Sequence, residues 1–190
     1  MNASELFQAG DLQAAISAAT VELKAKPTDV SLRLFLAELL WFNGQIDRVE
    51  KQLETISLQT TQAAMTLALY RQILRGETAR EQVLREGRPP EVVAELPADA
   101  KCTLEALLAL RLEQQQEANR LLAAAESQRP NLQGVCNGSE FTEFRDLDDR
   151  VAGVLEVITS TGKYYWVPWQ NIESLEMEPP KVPLDLLYRR

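Results

Sequence analysis

The first 130 residues alternate between apolar stretches with helical spacing and short breaks at glycine or proline. After Gly10 and again after Gly44, apolar residues recur at helical spacing, which predicts one amphipathic helix after each glycine. These residues are Leu12, Ile16, Ala19 and Leu23 in the first helix and Ile46, Val49, Leu53 and Ile56 in the second. Each glycine also follows an apolar stretch with helical character, so the pattern predicts two helix pairs.

The two glycines lie 34 residues apart, which is the period of a tetratricopeptide-like repeat. In the first copy, Ala15 and Pro27 follow Gly10 by five and seventeen residues, as this repeat requires, and the proline ends the helix. Thr61 stands where the second copy would have its proline, so we interpret that copy as degenerate. Stacked helix pairs of this kind bind other polypeptides, and the sequence therefore predicts a scaffold.

A third helix pair is predicted at residues 63–74 and 77–85, separated by Gly76 and closed by Gly87. Gly76 lies two residues short of the strict period, so this pair matches the repeat less well.

A last helix pair is predicted at residues 104–112 and 118–125. Ala118 precedes Pro130 by twelve residues, the same separation as in the first repeat. The prolines in residues 88–97 interrupt the helical pattern, which we interpret as a loop that lets the last pair pack at a new angle. A proline-rich docking site is the alternative interpretation.

Residues 131–190 are predicted to form a small C-terminal region that contains a β-hairpin. Past Pro130 the composition shifts from Ala, Leu and Gln toward Val, Ile, Thr, Tyr and Trp, which favour strands. Residues 151–159 and 164–167 predict two strands joined by a turn, and Pro168 ends the second strand or places it at an edge. With a helical repeat domain over residues 1–130, this predicts an α+β fold.

The charge and composition of the chain narrow the classes of molecule that it is expected to bind. The formal net charge is -8, whereas nucleic-acid binding depends on clustered Lys and Arg. The start of the chain lacks the basic and apolar layout of a signal peptide, and no apolar run is long enough to cross a membrane. We therefore predict a cytoplasmic protein that binds neither nucleic acid nor a membrane.

Catalytic and cofactor chemistry has little support in the sequence. The chain has no histidine, which removes the commonest general base and every Ser-His or Cys-His pairing. Cys102 and Cys136 lack CxxC spacing, so we expect two reduced thiols. Gly134 and Gly138 lack the spacing of a phosphate-binding loop. We predict no catalytic residue, no metal site and no cofactor.

The densest acidic stretch contains Asp146, Asp148 and Asp149, flanked by Arg145 and Arg150. Three acids at this density could hold a hard cation through oxygen ligands. We prefer a helix start or a turn, because acids stabilise helix N-termini and the two arginines are close enough to pair with them.

The second half of the chain carries a family signature. Its stretches are FTEFRDLDDR from Phe141, LEV from Leu155, GKYYWVP from Gly162 and PLDLLYRR from Pro183. They closely resemble the ImpE/TagJ family of bacterial type VI secretion accessory proteins, and the resemblance runs from near residue 1 to residue 190. Members of that family usually continue beyond the position of Arg190 into a strand-rich segment, so we expect this chain to be truncated.

The resemblance implies a non-enzymatic adaptor at the contractile sheath. Such proteins are thought to bind the N-terminal helix of the small sheath subunit and to connect the sheath to its disassembly ATPase. A helical-repeat groove that accepts an amphipathic helix is compatible with this role. The alternatives are a tetratricopeptide-type cochaperone with another client and, third, a carboxylate enzyme, which would need a deep pocket where two acids converge.

Two surfaces are candidates for contact with the partner. Repeat geometry places the first helix of each pair on the concave wall, and in the second repeat this selects Leu34, Glu38, Trp41 and Phe42, with Trp41 as the best single candidate. Burial in the core is the alternative, because residues 32–42 are apolar nearly all round the helix.

The aromatic residues of the hairpin form the second candidate surface, chiefly Tyr164 and Trp166, which share one face of their strand. An isolated hairpin is marginally stable in water, so its aromatic side chains must pack on something. Core packing is therefore the alternative for these residues too.

Overall fold

The computed structural model describes residues 1–189 and confirms an α+β fold. The α-helices are α1 (Ala3–Gln8), α2 (Leu12–Ala25), α3 (Val30–Phe42), α4 (Ile46–Gln59), α5 (Ala64–Glu81), α6 (Ala98–Arg111) and α7 (Gln115–Gln128). The strands are β1 (Glu91–Val92), β2 (Gly134–Cys136), β3 (Ser139–Phe141), β4 (Val154–Ile158) and β5 (Tyr164–Pro168). None of the helices in residues 1–189 is both long and apolar enough to cross a membrane.

The chain folds into two compact units that do not follow the order of the sequence. The first, named the repeat unit, contains Met1–Arg71 and residues 176–189, and these last residues are named the returning segment. The second, named the sheet unit, contains Gln72–Leu175. The predicted boundary between residues 130 and 131 follows the change from helix to strand instead, and as a domain boundary it stays a prediction.

Caps define the starts of α2 and α3 and the ends of α1 and α3. Asp11 and Asp29 accept hydrogen bonds from the backbone N–H three residues later, at 2.9 and 3.0 Å, and so begin α2 and α3. Gly10 and Gly44 adopt left-handed φ angles of 83° and 69°. After each glycine, the next amide donates to the carbonyl five residues back, which satisfies the end of the preceding helix. The first two predicted helix pairs are confirmed.

The pair α6–α7 has the same turn without a glycine. Glu113 adopts a left-handed φ of 58°, and the Gln114 amide donates to the Ala109 carbonyl at 2.9 Å. Pro130 follows Glu113 by seventeen residues, as in the first repeat. This predicted pair is confirmed, although both helices begin earlier than predicted, because the prediction followed only their apolar positions.

The predicted helix pair around Gly76 is wrong. The helix α5 runs through Gly76 to Glu81 and continues as a π-helical turn, Gln82–Glu86, which Gly87 ends with a φ of 78°. Gly76 is buried against Ile158 of β4, and a Cβ at this position would overlap the isoleucine side chain. The glycine therefore serves close packing between helix and strand rather than a helix end.

The sheet unit contains a three-stranded sheet in the order β1-β5-β4. The predicted hairpin is confirmed, since β4 and β5 pair antiparallel from Val154 opposite Pro168 to Ile158 opposite Tyr164. Its first strand is shorter than predicted, because residues 151–153 form a turn. The segment predicted as a loop contains β1, which pairs parallel with β5.

A second hairpin, formed by β2 and β3, was not predicted. Its two-residue turn consists of Asn137 and Gly138, with φ angles of 50° and 84°. An Asn-Gly pair with two positive φ angles matches the right-handed twist of the flanking strands.

Candidate partner-binding surface

The predicted partner-binding residues of α3 do not all lie on one face. Leu34, Glu38 and Trp41 are four and three residues apart and share a side of the helix. Phe42 packs edge-on against Phe7 of α1, with ring centroids 5.3 Å apart. Leu34 and Phe42 are half-buried, whereas Glu38 and Trp41 are buried.

Trp41 is only 4% exposed because other aromatic rings of the repeat unit enclose it. Its indole N–H donates to the Tyr188 hydroxyl at 3.1 Å, and the two ring centroids are 5.8 Å apart. Tyr70 of α5 packs against the tryptophan edge-on at 6.1 Å. Such ring geometry is favourable for aromatic pairs. In this conformation Trp41 is therefore a buried residue, as the alternative interpretation of the sequence has it.

Glu38 is a buried acid under the same cover. Its carboxylate accepts a hydrogen bond from the Tyr70 hydroxyl. Burial raises the pKa of Glu38, and the nearby Asp185 carboxylate raises it further. The hydrogen bonds from Tyr70 and from the Leu184 amide lower the same pKa. Glu38 thus connects α3 to both α5 and the returning segment.

The returning segment covers this part of α3 with a single turn. Pro183–Leu186 forms a 3₁₀ turn, in which the Asp185 carboxylate accepts from the amides of Lys181 and Val182 at 2.9 and 3.1 Å. Leu184 is 1% exposed. We name the surface formed by Glu38, Trp41 and Tyr70, on which this turn lies, the α3 face.

Sequence reasoning missed Tyr70, Leu184 and Tyr188 as members of this surface. Leu184 and Tyr188 are four residues apart, a spacing that is compatible with one face of a helix. That spacing was the available signal for the returning segment, but it did not indicate where the segment docks.

Tyr164 and Trp166 lie in the core of the sheet unit, where they pack with Val151, Val154, Val83 and Leu107. The Trp166 indole N–H donates to the Tyr164 hydroxyl at 2.8 Å, and that hydroxyl donates to the Glu156 carboxylate at 2.5 Å. Arg80 of α5 donates to the same carboxylate at 2.7 Å. Contact of these two aromatic residues with a partner stays a prediction.

The acidic stretch forms a turn held together by its own arginines. Arg150 donates to both carboxylate oxygens of Asp148, and Arg145 pairs with Asp149. The Arg150 guanidinium lowers the pKa of Asp148. Within residues 1–189, no group of three or more acids or cysteines is placed to hold a metal ion.

A cavity of about 320 Å³ in the sheet unit lies between α6, α7 and this turn. Three acids line it, Asp99, Glu126 and Asp149. Burial raises the pKa of Asp99, whereas Arg129 lowers the pKa of Glu126 by hydrogen bonding. Asp149 pairs with Arg145. Asp99 is therefore the lining acid with a raised pKa, and a catalytic pair stays the third hypothesis.

The helix pairs and the α3 face define a tetratricopeptide-like helical-repeat protein that also contains a small sheet. The tetratricopeptide repeat family model matches residues 6–73, and the ImpE protein family model matches residues 138–190. The Pseudomonas aeruginosa protein named type VI secretion system accessory component TagJ is 32% identical over 189 residues, or 99% of this chain. The chain is thus similar to this accessory component over almost its whole length, and its C-terminal part matches the ImpE family model. It spans 66% of the length of that relative.

A crystal structure of a protein from Vibrio parahaemolyticus superposes with a TM-score of 0.89 at 24% identity. The match covers 98% of this chain and 70% of that chain. At this identity, the likeness shows the fold alone.

Proposed function

We propose that this protein is a cytoplasmic, non-enzymatic accessory component of a type VI secretion system that binds a helix of the small contractile-sheath subunit. The observation that carries the proposal is the 32% identity to TagJ over 99% of the chain. The repeat unit supports it, because a helical-repeat surface suits an amphipathic helix. A link from the sheath to its disassembly ATPase is the second part of the proposed role.

The α3 face and the adjoining Leu34 are the proposed contact surface. Leu34 lies one helical turn before Glu38 and is half-buried. A contact there adds apolar area next to the aromatic cluster of Trp41 and Tyr70, where contacts that exclude water contribute most to affinity.

The cochaperone alternative is less well supported by this surface. A cochaperone that reads acidic C-termini needs basic side chains in its groove. The only basic residue of α3 is Arg33, and its guanidinium donates to the Gln52 side chain and the Pro27 carbonyl at 2.9 and 2.6 Å. Arg33 is thus committed to the packing of the repeat unit.

Calorimetric titration with a peptide of the N-terminal sheath-subunit helix tests the proposal. We expect saturable binding to the wild type and about tenfold weaker binding to Leu34→Ala. Leu58→Ala is the matched control, because Leu58 of α4 is 83% exposed, and it should bind like the wild type. Absence of binding to the wild type would reject the sheath partner, and equal binding by both variants would place the site elsewhere.

A further inference from the structure

The returning segment lies on the α3 face as a bound helical peptide would. The Tyr188 amide donates to the Leu184 carbonyl at 3.0 Å, so these residues are one helical turn apart. Leu184 is buried, and the Tyr188 hydroxyl accepts from Trp41. Leu186 between them is 50% exposed. Inward residues four apart with an outward residue between them form the pattern of an amphipathic helix in a groove.

We propose that the α3 face is a peptide-binding groove, that the returning segment is its internal ligand in the free protein, and that a partner helix displaces it. The identity of the partner as a sheath helix rests on the proposed function, whereas the groove and its internal ligand do not. The fitting partner helix carries an aliphatic residue at the Leu184 position and a hydroxyl-bearing aromatic residue four positions later.

The attachment of the segment suits exchange. Residues 176–182, which precede the turn, are all exposed and form neither helix nor strand. Among residues 176–189, release therefore breaks the contacts of one turn and no strand pairing or α-helix. In the docked turn, the Asp185 carboxylate raises the pKa of the buried Glu38 carboxyl.

A labelled synthetic peptide with the sequence of residues 179–189 tests the groove without any sheath protein. It is titrated into the full-length protein as wild type, Leu184→Ala and Leu186→Ala. If the internal ligand is docked about nine-tenths of the time, Leu184→Ala should bind the peptide about tenfold more tightly than the wild type. Leu186→Ala changes an exposed leucine of the same turn and should match the wild type.

Equal binding by all three proteins would overturn the inference, as would absence of binding at millimolar peptide. Hydrogen exchange of α3 and α4 checks that Leu184→Ala is folded. If it is not, Tyr188→Phe takes its place, because it removes only the hydroxyl that accepts from Trp41. This variant should bind the peptide about two- to threefold more tightly than the wild type, and unchanged affinity would overturn the inference.

The sheath-helix peptide separates this inference from the proposed function. The inference expects the peptide to bind Leu184→Ala more tightly than the wild type and to be displaced by the peptide of residues 179–189. Equal affinity for wild type and Leu184→Ala without displacement would keep the sheath partner and reject the exchange. Tight binding of the 179–189 peptide to Leu184→Ala, with no sheath-helix binding, would keep the groove and reject the sheath partner.

Discussion

The helix pairs α3–α4 and α6–α7 share one turn geometry but have different covers on their first helix. The turn glycine of the first pair, Gly44, corresponds to Glu113 in the second. In the repeat unit, one turn of the returning segment covers the Trp41 side of α3 together with Tyr70 of α5. In the sheet unit, α6 packs in one cluster with the buried hairpin residues Tyr164 and Trp166.

This difference separates a permanent core from an exchangeable contact. In a long solenoid, the next repeat stacks on each helix pair and buries its apolar face. Here non-repeat segments of the chain cover α3 and α6. A paired sheet with a fully buried tryptophan belongs to the core of its unit, whereas a single turn after an exposed segment is small enough to leave.

The largest expected effect on stability comes from removing the buried tryptophan that packs with α6 in the sheet unit. Trp166→Ala removes a fully buried side chain and leaves a cavity, so we expect the free energy of unfolding of the sheet unit to fall by about 3–5 kcal/mol. Hydrogen exchange of α6 and α7 measures it. The control Tyr165→Ala changes a half-buried neighbour in β5 and should cost less. Equal losses would contradict the assignment of Trp166 to the core.

In the repeat unit, the corresponding change should be local. Leu184→Ala should speed hydrogen exchange in the returning segment while α4 keeps its protection, because α4 packs on α3 and its Val49, Leu53 and Ile56 are buried. Loss of protection throughout α1–α4 would show that the returning segment is an integral part of the core and would remove the contrast between the two covers.

The next effect concerns the polar network under the sheet. Glu156→Gln retains the shape but removes the charge that accepts from Arg80 and Tyr164, so we expect a loss of about 2 kcal/mol in the free energy of unfolding. Chemical denaturation measures it. Glu140→Gln on the exposed side of β3 is the control and should change stability by less than about 0.5 kcal/mol. A similar small change in both variants would contradict the importance of the network.

The acid beneath the returning segment should make the repeat unit sensitive to pH. Because the folded-state pKa of Glu38 is raised, its contribution to stability is complete below the ordinary value of 4.5 and is lost as pH rises through the folded-state pKa. Glu38→Gln cannot ionise, so its stability relative to the wild type should increase from pH 4.5 to pH 7. Denaturation at both pH values, with Glu54→Gln on α4 as control, measures the difference. An unchanged difference would contradict a buried, ionising Glu38.

The smallest effect concerns the shared turn. Gly44→Ala places a Cβ on a left-handed residue with no neighbour within 4 Å, so backbone strain alone should cost about 1 kcal/mol. Glu113→Gly should do the reverse and stabilise the protein by about 0.5 kcal/mol, because glycine favours this conformation but loses more entropy on folding. Thermal denaturation measures both. The same sign for both variants would show that the two turns are not equivalent.

Local signals predicted three of the four helix pairs and one hairpin correctly. The Gly10 to Gly44 spacing and the Ala118 to Pro130 spacing each correspond to an observed pair, because caps and helix ends depend on nearby residues. The Asn137-Gly138 pair is an equally local hairpin signal, and the sequence prediction missed it.

Other features were not readable from local sequence. A glycine after an apolar stretch is typical of a helix end, yet Gly76 lies inside α5. A glycine is needed there because Ile158 from a distant strand occupies the space beside it. The parallel strand β1 depends on β5, which lies more than seventy residues away. The sequence left Trp41 open between a partner anchor and a core residue, and a tyrosine 147 residues away in the chain covers it in the structure.

The sequence by itself determined the helix-pair periodicity, the resemblance to the ImpE family and the α+β class, because these depend on residue spacing and on the residues of the second half. The tertiary structure alone decided that the chain divides into a repeat unit and a sheet unit, and that residues 176–189 return to the first of them. The physical reason is that burial is not a property of one segment. Whether Trp41 or Trp166 is covered depends on which distant apolar surface reaches it, and only the folded chain brings those surfaces together.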